Sequence, residues 1–398
     1  MLSRVLGAAF DFAPFWIPVF LGLVWWTLWR RYLTIDFIAK QTDWILLEIR
    51  IPQDVLKSPL AMEVVLTALN QGNPGNPYEK FFLGQITRWF SLEIVSRGGD
   101  VRFYIYTLPR YKNLIESRIY SQYPGAEIYE VPDYVHEVEY HGDGSPWNVW
   151  GVEFTLAKPD PYPIRTYLDY ELDRLAFREE QEAAKVDPLV SLIESFSDIG
   201  KDEMMWMQII IRASKKQFRK PGTWFGKQDW RGQAKDLIKV LREEGKADEV
   251  KALERSVSKV GFDCGIRAMY VAKSHAFNGG KTGGIRVALE PFNSSILNGF
   301  KRVGGTDNEN PFANYFWELG LDPFEWKFRS VEHMKKIMLG AYRARAWFYP
   351  PYINERAPFV LNTEELATIY HFPGRVLQTP SFVRVNTKKS EPPVNLPT

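Results

Sequence analysis

The chain has 398 residues, a net charge of +2 at pH 7 and one cysteine, Cys264. So small a net charge excludes functions that depend on the charge of the whole chain, and any attraction to nucleic acid or lipid must come from local patches. One cysteine excludes an intrachain disulfide and is typical of a reducing compartment. The length predicts two or three domains with cores of their own.

A run of apolar and aromatic residues without a charge extends from Ala13 to Trp29, and Arg30 and Arg31 follow it. A bilayer core of about 30 Å requires roughly 17–25 helical residues, so the run predicts a short membrane-spanning helix. A buried core helix and a cleaved signal peptide are the alternatives. Tryptophans at the ends are typical of membrane interfaces, and the arginines favour a cytoplasmic side after the run. The predicted interface residues are Trp16, Trp25, Trp26, Trp29, Arg30 and Arg31.

We therefore expect a transmembrane anchor in residues 1–40. It would hold the chain as a single-pass protein in the cytoplasmic (inner) membrane, with the C-terminal domain in the cytoplasm.

Residues 41–140 are predicted to form a first α+β lobe. Two strands joined by the turn at Gly98 and Gly99 form a hairpin, because apolar residues alternate on both sides of the turn. Together with two helices and two further strands, this gives the order β-α-β-β-α-β of a ferredoxin-like, or split β-α-β, fold. The predicted elements are a strand over Trp44–Ile51, a helix over Ser58–Asn70, strands over Phe90–Ser96 and Val101–Leu108, a helix over Arg110–Gln122 and a strand over Ala126–Glu130.

Residues 141–300 are predicted to repeat this order as a second α+β lobe. Met204–Ala213 is almost continuously apolar, which predicts a strand in the middle of a sheet. The other predicted elements are strands over Val149–Ala157 and Phe262–Lys273, a charged connector over Tyr170–Lys185, a helix over Asp187–Phe196, a helical region over Trp230–Lys259 broken near Gly245, and a helix over Ile285–Leu297. The predicted fold class is thus α+β, with one N-terminal transmembrane helix and two ferredoxin-like lobes.

Two C-terminal regions complete the predicted organisation. Residues 301–387 form an α+β extension with helices over Val331–Arg345 and Thr363–Tyr370. Residues 388–398 are polar and rich in proline, which predicts a linker or a docking tail.

Motifs for catalysis are incomplete in this sequence. Gly280, Lys281 and Thr282 resemble a phosphate-binding loop, but His275 stands where the motif requires its first glycine. His136 and His141 would point to opposite faces of a polar strand and so make a poor metal site. We therefore expect no enzymatic activity, no cofactor and no bound metal.

A basic stretch from Arg212 to Lys246 carries eleven lysines and arginines against four acidic residues, with Phe218 and Trp230 among the aromatic residues in it. Such a composition suits the phosphates and bases of a single-stranded nucleic acid. It also suits an anionic membrane surface, or simply a solvated helix face. The candidate residues are Lys215, Lys216, Arg219, Lys220, Trp224, Lys227 and Arg231.

The stretch Phe359–Gly374, with the sequence FVLNTEELATIYHFPG, is followed by KKSEPPVNLP over Lys388–Pro397. Together they resemble the junction that precedes the motor domain in bacterial type IV secretion and conjugative-transfer ATPases. Pro161–Tyr167, Val186–Leu189 and Trp206–Arg212 are similar to the membrane-anchored N-terminal region of the same proteins. This sequence carries no Walker A or B motif, so the family's nucleotide-binding residues have no counterparts in it.

The resemblance implies a non-catalytic, membrane-anchored scaffold subunit of a translocation apparatus, which docks a separate motor ATPase. It further implies an oligomer within a membrane complex. The alternative is a membrane-tethered module that binds single-stranded nucleic acid. The residues that the resemblance implies for docking the ATPase are Glu364, Glu365, His371 and Pro373.

Overall fold

The computed structural model describes residues 13–41, 43–52, 57–72, 75–173, 187–220, 226–306, 331–349 and 358–373. These residues form a mixed α+β structure around one large antiparallel sheet. The predicted tail, 388–398, and most of the charged connector lie outside the described residues.

The described residues up to 140 contain the first helix, three further α-helices and four strands. In chain order the elements are helix α1 (Ala13–Ala39), strand β1 (Ile45–Arg50), helices α2 (Leu60–Ala68) and α3 (Pro77–Phe82), strands β2 (Trp89–Arg97) and β3 (Asp100–Thr107), helix α4 (Lys112–Gln122) and strand β4 (Glu127–Val131).

The described residues after 140 add seven strands and six helices. They are strand β5 (Trp147–Leu156), helix α5 (Pro188–Ser197), strands β6 (Glu203–Ala213), β7 (Gln217–Arg219) and β8 (Lys227–Asp229), helices α6 (Trp230–Glu243) and α7 (Ala247–Ser258), strand β9 (Gly261–Lys273), helix α8 (Thr282–Val287), strand β10 (Phe300–Gly305), helix α9 (Val331–Arg343), strand β11 (Phe359–Asn362) and helix α10 (Thr363–Ile369).

The strands of the large sheet follow the order β10-β5-β9-β6-β2-β3-β1-β4, and β11 also pairs with β9. The order β4-β1-β3-β2 of the first half is thus repeated as β10-β5-β9-β6 in the second. Strand β2 pairs with β6 along its whole length, from Trp89 opposite Arg212 to Arg97 opposite Met204. The two regions predicted as separate lobes therefore share one continuous sheet.

Side chains alternate across the sheet, and both of its faces are covered. On β6, Met207 and Ile209 point into the larger core cluster, whereas Trp206 belongs to a second cluster on the opposite face. Helices α2, α4, α5, α8 and α10 cover the first face. Helix α9 and the 3₁₀ helix Tyr134–Glu137 cover the second. This explains why the central strands are apolar at nearly every position.

Two predictions about single elements are wrong. The helix expected over Ile285–Leu297 ends at Val287, and a 3₁₀ helix, Glu290–Phe292, follows around Pro291, which has no N–H to continue the α-helical pattern. His136 lies in a 3₁₀ helix rather than a strand, because the Asp133 side chain accepts the Val135 N–H and starts a turn. In the described part of the predicted extension, 301–387, β11 and most of β10 pair with strands of the large sheet.

Helix α1 continues beyond Arg30 and Arg31 to Ala39. Among the residues that the structure describes, no helix combines the length and the apolar character required to cross a membrane, so the predicted transmembrane helix is not supported. The described apolar residues before Arg30 rise about 25 Å at 1.5 Å per residue. That is less than the about 30 Å of a bilayer core.

Candidate functional site

Helix α1 is attached to the fold through its C-terminal end. Phe37 and Ile38 pack against a small cluster of Ile86, Trp89 and Trp347. The ring of Trp89 in turn lies 4.8 Å from the ring of Trp44, centroid to centroid, just before β1. The end of α1 is therefore seated on the sheet, and the rest of the helix extends from this seat.

The remainder of α1 exposes large apolar side chains. Phe15 is 73% exposed and Trp25 is 60% exposed. The other exposed apolar residues of this stretch are Ile17, Val19, Phe20, Leu21, Leu23, Val24, Leu28 and Trp29. An apolar surface of this extent marks a membrane or protein interaction site.

Aromatic and cationic side chains collect where the apolar part of α1 ends. The rings of Trp25 and Trp29 stack at 6.0 Å, and those of Trp29 and Tyr32 at 5.7 Å. Arg31 is exposed beside them, whereas the Arg30 guanidinium lies 4.8 Å from the centre of the Phe81 ring. Tryptophan and tyrosine side chains are enriched at membrane–water interfaces. Trp16 also lies on α1, and its side chain is outside the described part.

Helix α3 packs against this end of α1. Its start is fixed by a capping box, in which the Asn76 side chain accepts the Glu79 N–H and the Glu79 carboxylate accepts the Asn76 N–H, both at 2.9 Å. The Phe82 ring meets the Trp26 ring edge-on at 6.2 Å, which leaves Trp26 half-buried. Lys80, on the same helix, is exposed.

A cleft of about 730 Å³ lies beside α3. We call it the cationic cleft, and it is lined by Asn70, Lys80, Ser214, Lys215, Lys216 and Arg231 among others. It brings together three of the predicted basic residues and adds Lys80, which the sequence analysis missed. Lys80 is far from the others along the chain, and the only local signal was a lysine among exposed aromatic residues.

The buried carboxylate of Asp263 shapes one wall of the cationic cleft. It accepts hydrogen bonds from the Arg212 Nε at 3.0 Å, from the Ser214 hydroxyl at 2.7 Å and from the Lys215 N–H at 3.3 Å. The Lys216 N–H adds a fourth bond at 3.3 Å. Because Asp263 holds the main chain in this way, the Lys215 side chain starts from a fixed position at the cleft.

The cations of the cleft differ in how far the protein neutralises them. The Lys216 ammonium pairs with Asp160 at 2.6 Å, and Arg231 donates to the main-chain carbonyl of Lys259 at 2.8 Å. Among the described residues, no carboxylate lies within ion-pair distance of the ammonium groups of Lys80 and Lys215. Burial lowers the pKa of Lys215, and the neighbouring charges of Lys80 and Arg212 lower it further.

A second groove, of about 650 Å³, is lined by five cations and runs along helix α6. We call it the α6 groove; its cations are Lys220, Lys227, Lys235, Lys239 and Arg242. Asp236 and Glu254 also line it. The predicted basic residues are therefore divided between two neighbouring concave surfaces.

The aromatic residues of the basic stretch do not provide an open stacking surface within its described part. Trp230, which we expected to contribute one, is only 4% exposed and begins α6 as part of its packed face. Phe218 is half-buried beneath the Lys216 ammonium, which lies 5.0 Å from the ring centre. Arg219 lies on β7, and Trp224 is outside the described residues.

The residues expected to dock an ATPase are buried. Glu364 is 2% exposed, and Glu365 and His371 are each 1% exposed. Pro373 is buried as well. The prediction that these side chains contact a partner directly is therefore not supported, because each of the three polar ones is already engaged inside the fold.

Two of these carboxylates hold the loop before α5 against helix α10. Glu364 accepts the Thr166 hydroxyl at 2.7 Å and pairs with Arg255 at 3.2 Å. Glu365 accepts the Ile164 N–H at 2.9 Å and also closes a capping box with Asn362. Burial raises the pKa of Glu364, and it raises the pKa of Glu365 to about 8.

His371 fixes the end of the described C-terminal segment. Its Nε2 lies 2.9 Å from the Asp187 Oδ2, and its Nδ1 lies 2.9 Å from the Ala367 carbonyl oxygen. Burial raises the pKa of Asp187, but the charge and hydrogen bond of His371 outweigh this and leave the pKa below its ordinary value. We call residues 358–373 the C-terminal clasp, since β11 and α10 tie this segment to the sheet and to α2.

The glycine-rich sequence around Lys281 forms a turn between β9 and α8. The Lys281 ammonium contacts the Asp198 carboxylate at 2.6 Å, so it is paired within the fold. Among the described residues, no group of three or more His, Cys, Asp or Glu side chains is placed to hold a metal ion.

Comparison with protein-family models finds no match for this chain, and comparison with curated proteins finds none either. Its function therefore has to be inferred from the sites themselves.

Proposed function

We propose that this chain is a membrane-associated, non-catalytic scaffold subunit of a translocation apparatus of the type IV secretion kind, and that it holds a separate motor ATPase beside the membrane. The resemblance of Phe359–Gly374 to the junction before such a motor suggests the apparatus. The observation that carries the proposal is helix α1, which is seated on the sheet at one end and exposes apolar side chains along the rest.

In this proposal, a lipid bilayer covers the exposed part of α1. Trp25, Trp29 and Tyr32 lie at the level of the headgroups, where amphipathic rings are favoured. Arg30 and Arg31 lie at the same level and face the phosphates. The sheet and its helices then remain on the cytoplasmic side.

We also propose that the two halves of the sheet are ferredoxin-like lobes. The repeated orders β4-β1-β3-β2 and β10-β5-β9-β6 support this, as does the helix that follows the first strand of each half. Joined along β2 and β6, the two lobes give the scaffold a rigid body on which partners can be positioned.

The C-terminal clasp is held in place up to the last described residue, Pro373. Its Glu365 and His371 are bound inside the fold. In the proposal, the motor ATPase docks to residues 374–398 and not to the buried side chains of the clasp.

Capture of the purified cognate motor ATPase by the immobilised chain tests the scaffold role. The full chain is expected to retain the ATPase, whereas a chain shortened after Pro373 is expected to lose it and still unfold cooperatively. A double variant in the α6 groove, Lys235→Gln with Lys239→Gln, serves as a control that retains capture. Equal retention by the full and the shortened chain would refute docking through residues 374–398.

A second candidate function is binding of single-stranded nucleic acid, which the five cations of the α6 groove favour. Phosphate contacts release counterions, so the logarithm of the affinity should fall with the logarithm of the salt concentration by about 0.7 per contact. Titration of the chain with a labelled single-stranded oligonucleotide at several salt concentrations measures this slope. Absent binding, or binding that ignores salt, would exclude this function.

A further inference from the structure

The cationic cleft lies close to the interfacial end of helix α1. The Phe81 ring on α3 contacts one cation of α1, Arg30, and one cation that lines the cleft, Lys80. The Arg30 guanidinium lies 4.8 Å and the Lys80 ammonium 5.5 Å from its centre, so the two cations are at most about 10 Å apart. Lys80 lines the cleft together with Lys215. The cleft therefore opens beside the place where the apolar part of α1 ends.

Exposed aromatic side chains continue from α1 onto α3, next to the cleft. Tyr78 is 63% and Phe82 is 54% exposed, and their rings stack at 5.5 Å. The Phe82 ring also meets Trp26 of α1. If α1 lies in lipid, as the proposed function requires, these rings of α3 reach the same headgroup layer.

The cleft has a positive charge that the protein leaves unbalanced. Neither Lys80 nor Lys215 has a carboxylate partner among the described residues, and Asp229 at the rim accepts the Gly232 N–H as the cap of α6. Partial desolvation at the cleft lowers the pKa of Lys215, and the nearby charges of Lys80 and Arg212 lower it further. An anion placed between the two lysines would relieve this repulsion.

We propose that the cationic cleft binds the phosphate headgroup of an anionic lipid, with Lys80 and Lys215 as the principal cations. Asn70 also lines the cleft; its amide donates one N–H to the Gly261 carbonyl oxygen, and the second N–H is left for a headgroup oxygen. This inference rests on the membrane attachment in the proposed function and adds the class of lipid. Nucleic acid is the less favoured ligand, because Trp230 at the cleft is buried and offers no face for a base.

Flotation of the full chain with lipid vesicles tests the inference. One set of vesicles is pure phosphatidylcholine, and the other is an equimolar mixture of phosphatidylcholine and phosphatidylglycerol. The wild-type chain is expected to bind the anionic vesicles more tightly. Each lysine near an anionic surface contributes roughly a fivefold gain, so Lys80→Gln with Lys215→Gln should weaken binding to the anionic vesicles about 30-fold.

The same double variant should bind pure phosphatidylcholine as the wild type does, since α1 is unchanged. The matched control, Lys251→Gln with Lys301→Gln, removes two exposed lysines outside the cleft and should retain the anionic preference. If the chain binds neither kind of vesicle, the proposed membrane attachment fails, and this inference fails with it.

If the chain binds both vesicles but the cleft variant keeps the full anionic preference, the inference alone is overturned. It is also overturned if a single-stranded oligonucleotide binds the lipid-free chain through Lys80 and Lys215 while the vesicles show no anionic preference. Saturation of the cleft by inorganic phosphate alone, with no gain from phosphatidylglycerol, would overturn it in favour of a soluble anion.

Discussion

The guanidinium of Arg345 forms two hydrogen bonds with the carboxylate of Glu93, at 3.0 and 3.2 Å, and both side chains are completely buried. The pair links the chain after α9 to the middle of β2. Asp133 binds the same guanidinium at 2.9 Å, and the Tyr134 hydroxyl donates to Glu93 at 2.8 Å. Arg345 has a φ of 46°, which few residues other than glycine adopt, so the pair holds a strained backbone in place.

Arg345→Met is expected to lower the free energy of unfolding by about 3–5 kcal/mol, because it leaves the Glu93 charge buried without its partner. Urea denaturation of the full chain measures the change. The control is Lys112→Gln, which breaks the exposed pair of Lys112 with Glu130 and should leave the stability nearly unchanged. Equal stability of the Met variant and the wild type would show that the buried pair contributes nothing.

Glu365 is expected to make the stability of the fold decrease as the pH rises. Burial raises its pKa from 4.5 to about 8. Between these values the unfolded chain has released the proton and the folded chain retains it, so the folded state binds more protons. The stabilisation is complete below about pH 4.5 and is lost as the pH rises through about 8, with a slope of about 1.4 kcal/mol per unit.

Glu365→Gln removes this titration and should flatten the pH dependence, although one backbone hydrogen bond is lost. Urea denaturation at about pH 5 and about pH 8 measures the difference for each chain. Glu249→Gln, at a position on α7 outside the clasp, is the control and should retain the wild-type slope. The interpretation fails if Glu365→Gln keeps the same slope as the wild type.

Gly265 on β9 is expected to tolerate no side chain. A Cβ atom there would overlap the ring of Trp347, which belongs to the cluster that seats the end of α1. Gly265→Ala should therefore destabilise the fold by about 1–3 kcal/mol, the usual range for overpacking. Gly283→Ala is the matched control, since no atom lies within 4 Å of its added Cβ and alanine is the better helix former. Thermal denaturation compares the two, and a wild-type midpoint for Gly265→Ala would contradict the packing argument.

Much of the fold could be predicted from local patterns. The turn at Gly98 and Gly99 and the alternation around it gave β2 and β3, and the apolar run of β6 gave a strand in the middle of a sheet. The predicted elements of the first half occur in the predicted order, with one unpredicted addition, the short helix α3 between α2 and β2. What stayed unpredicted depends on distant contacts. Strand β11 has only four residues, and its pairing with β9 is not visible in its sequence.

The candidate site, too, was predictable only where its residues are close together in the sequence. Clustering of basic residues near Lys215 is visible in the sequence, but only the fold brings Lys80 beside them. The resemblance implied that Glu364 and Glu365 dock a partner, which requires exposed side chains, and charged residues are rarely buried without partners. Their partners, Thr166, Arg255 and the Ile164 N–H, come from elsewhere in the chain. Burial of this kind cannot be deduced from a helix pattern alone.

The central claim is that helix α1 attaches the chain to a lipid bilayer, and flotation with phosphatidylcholine vesicles tests it most directly. The wild-type chain should float with the vesicles, whereas Leu21→Asp with Leu23→Asp should not, since both exposed leucines lie near the middle of the apolar part of α1 and an aspartate in lipid costs about 2.5–3.5 kcal/mol at the helix centre. The control, Val287→Asp with Ile296→Asp, changes two exposed apolar residues outside α1 and should float as the wild type does. A wild-type chain that stays at the bottom of the gradient, or an α1 variant that still floats, would contradict the claim.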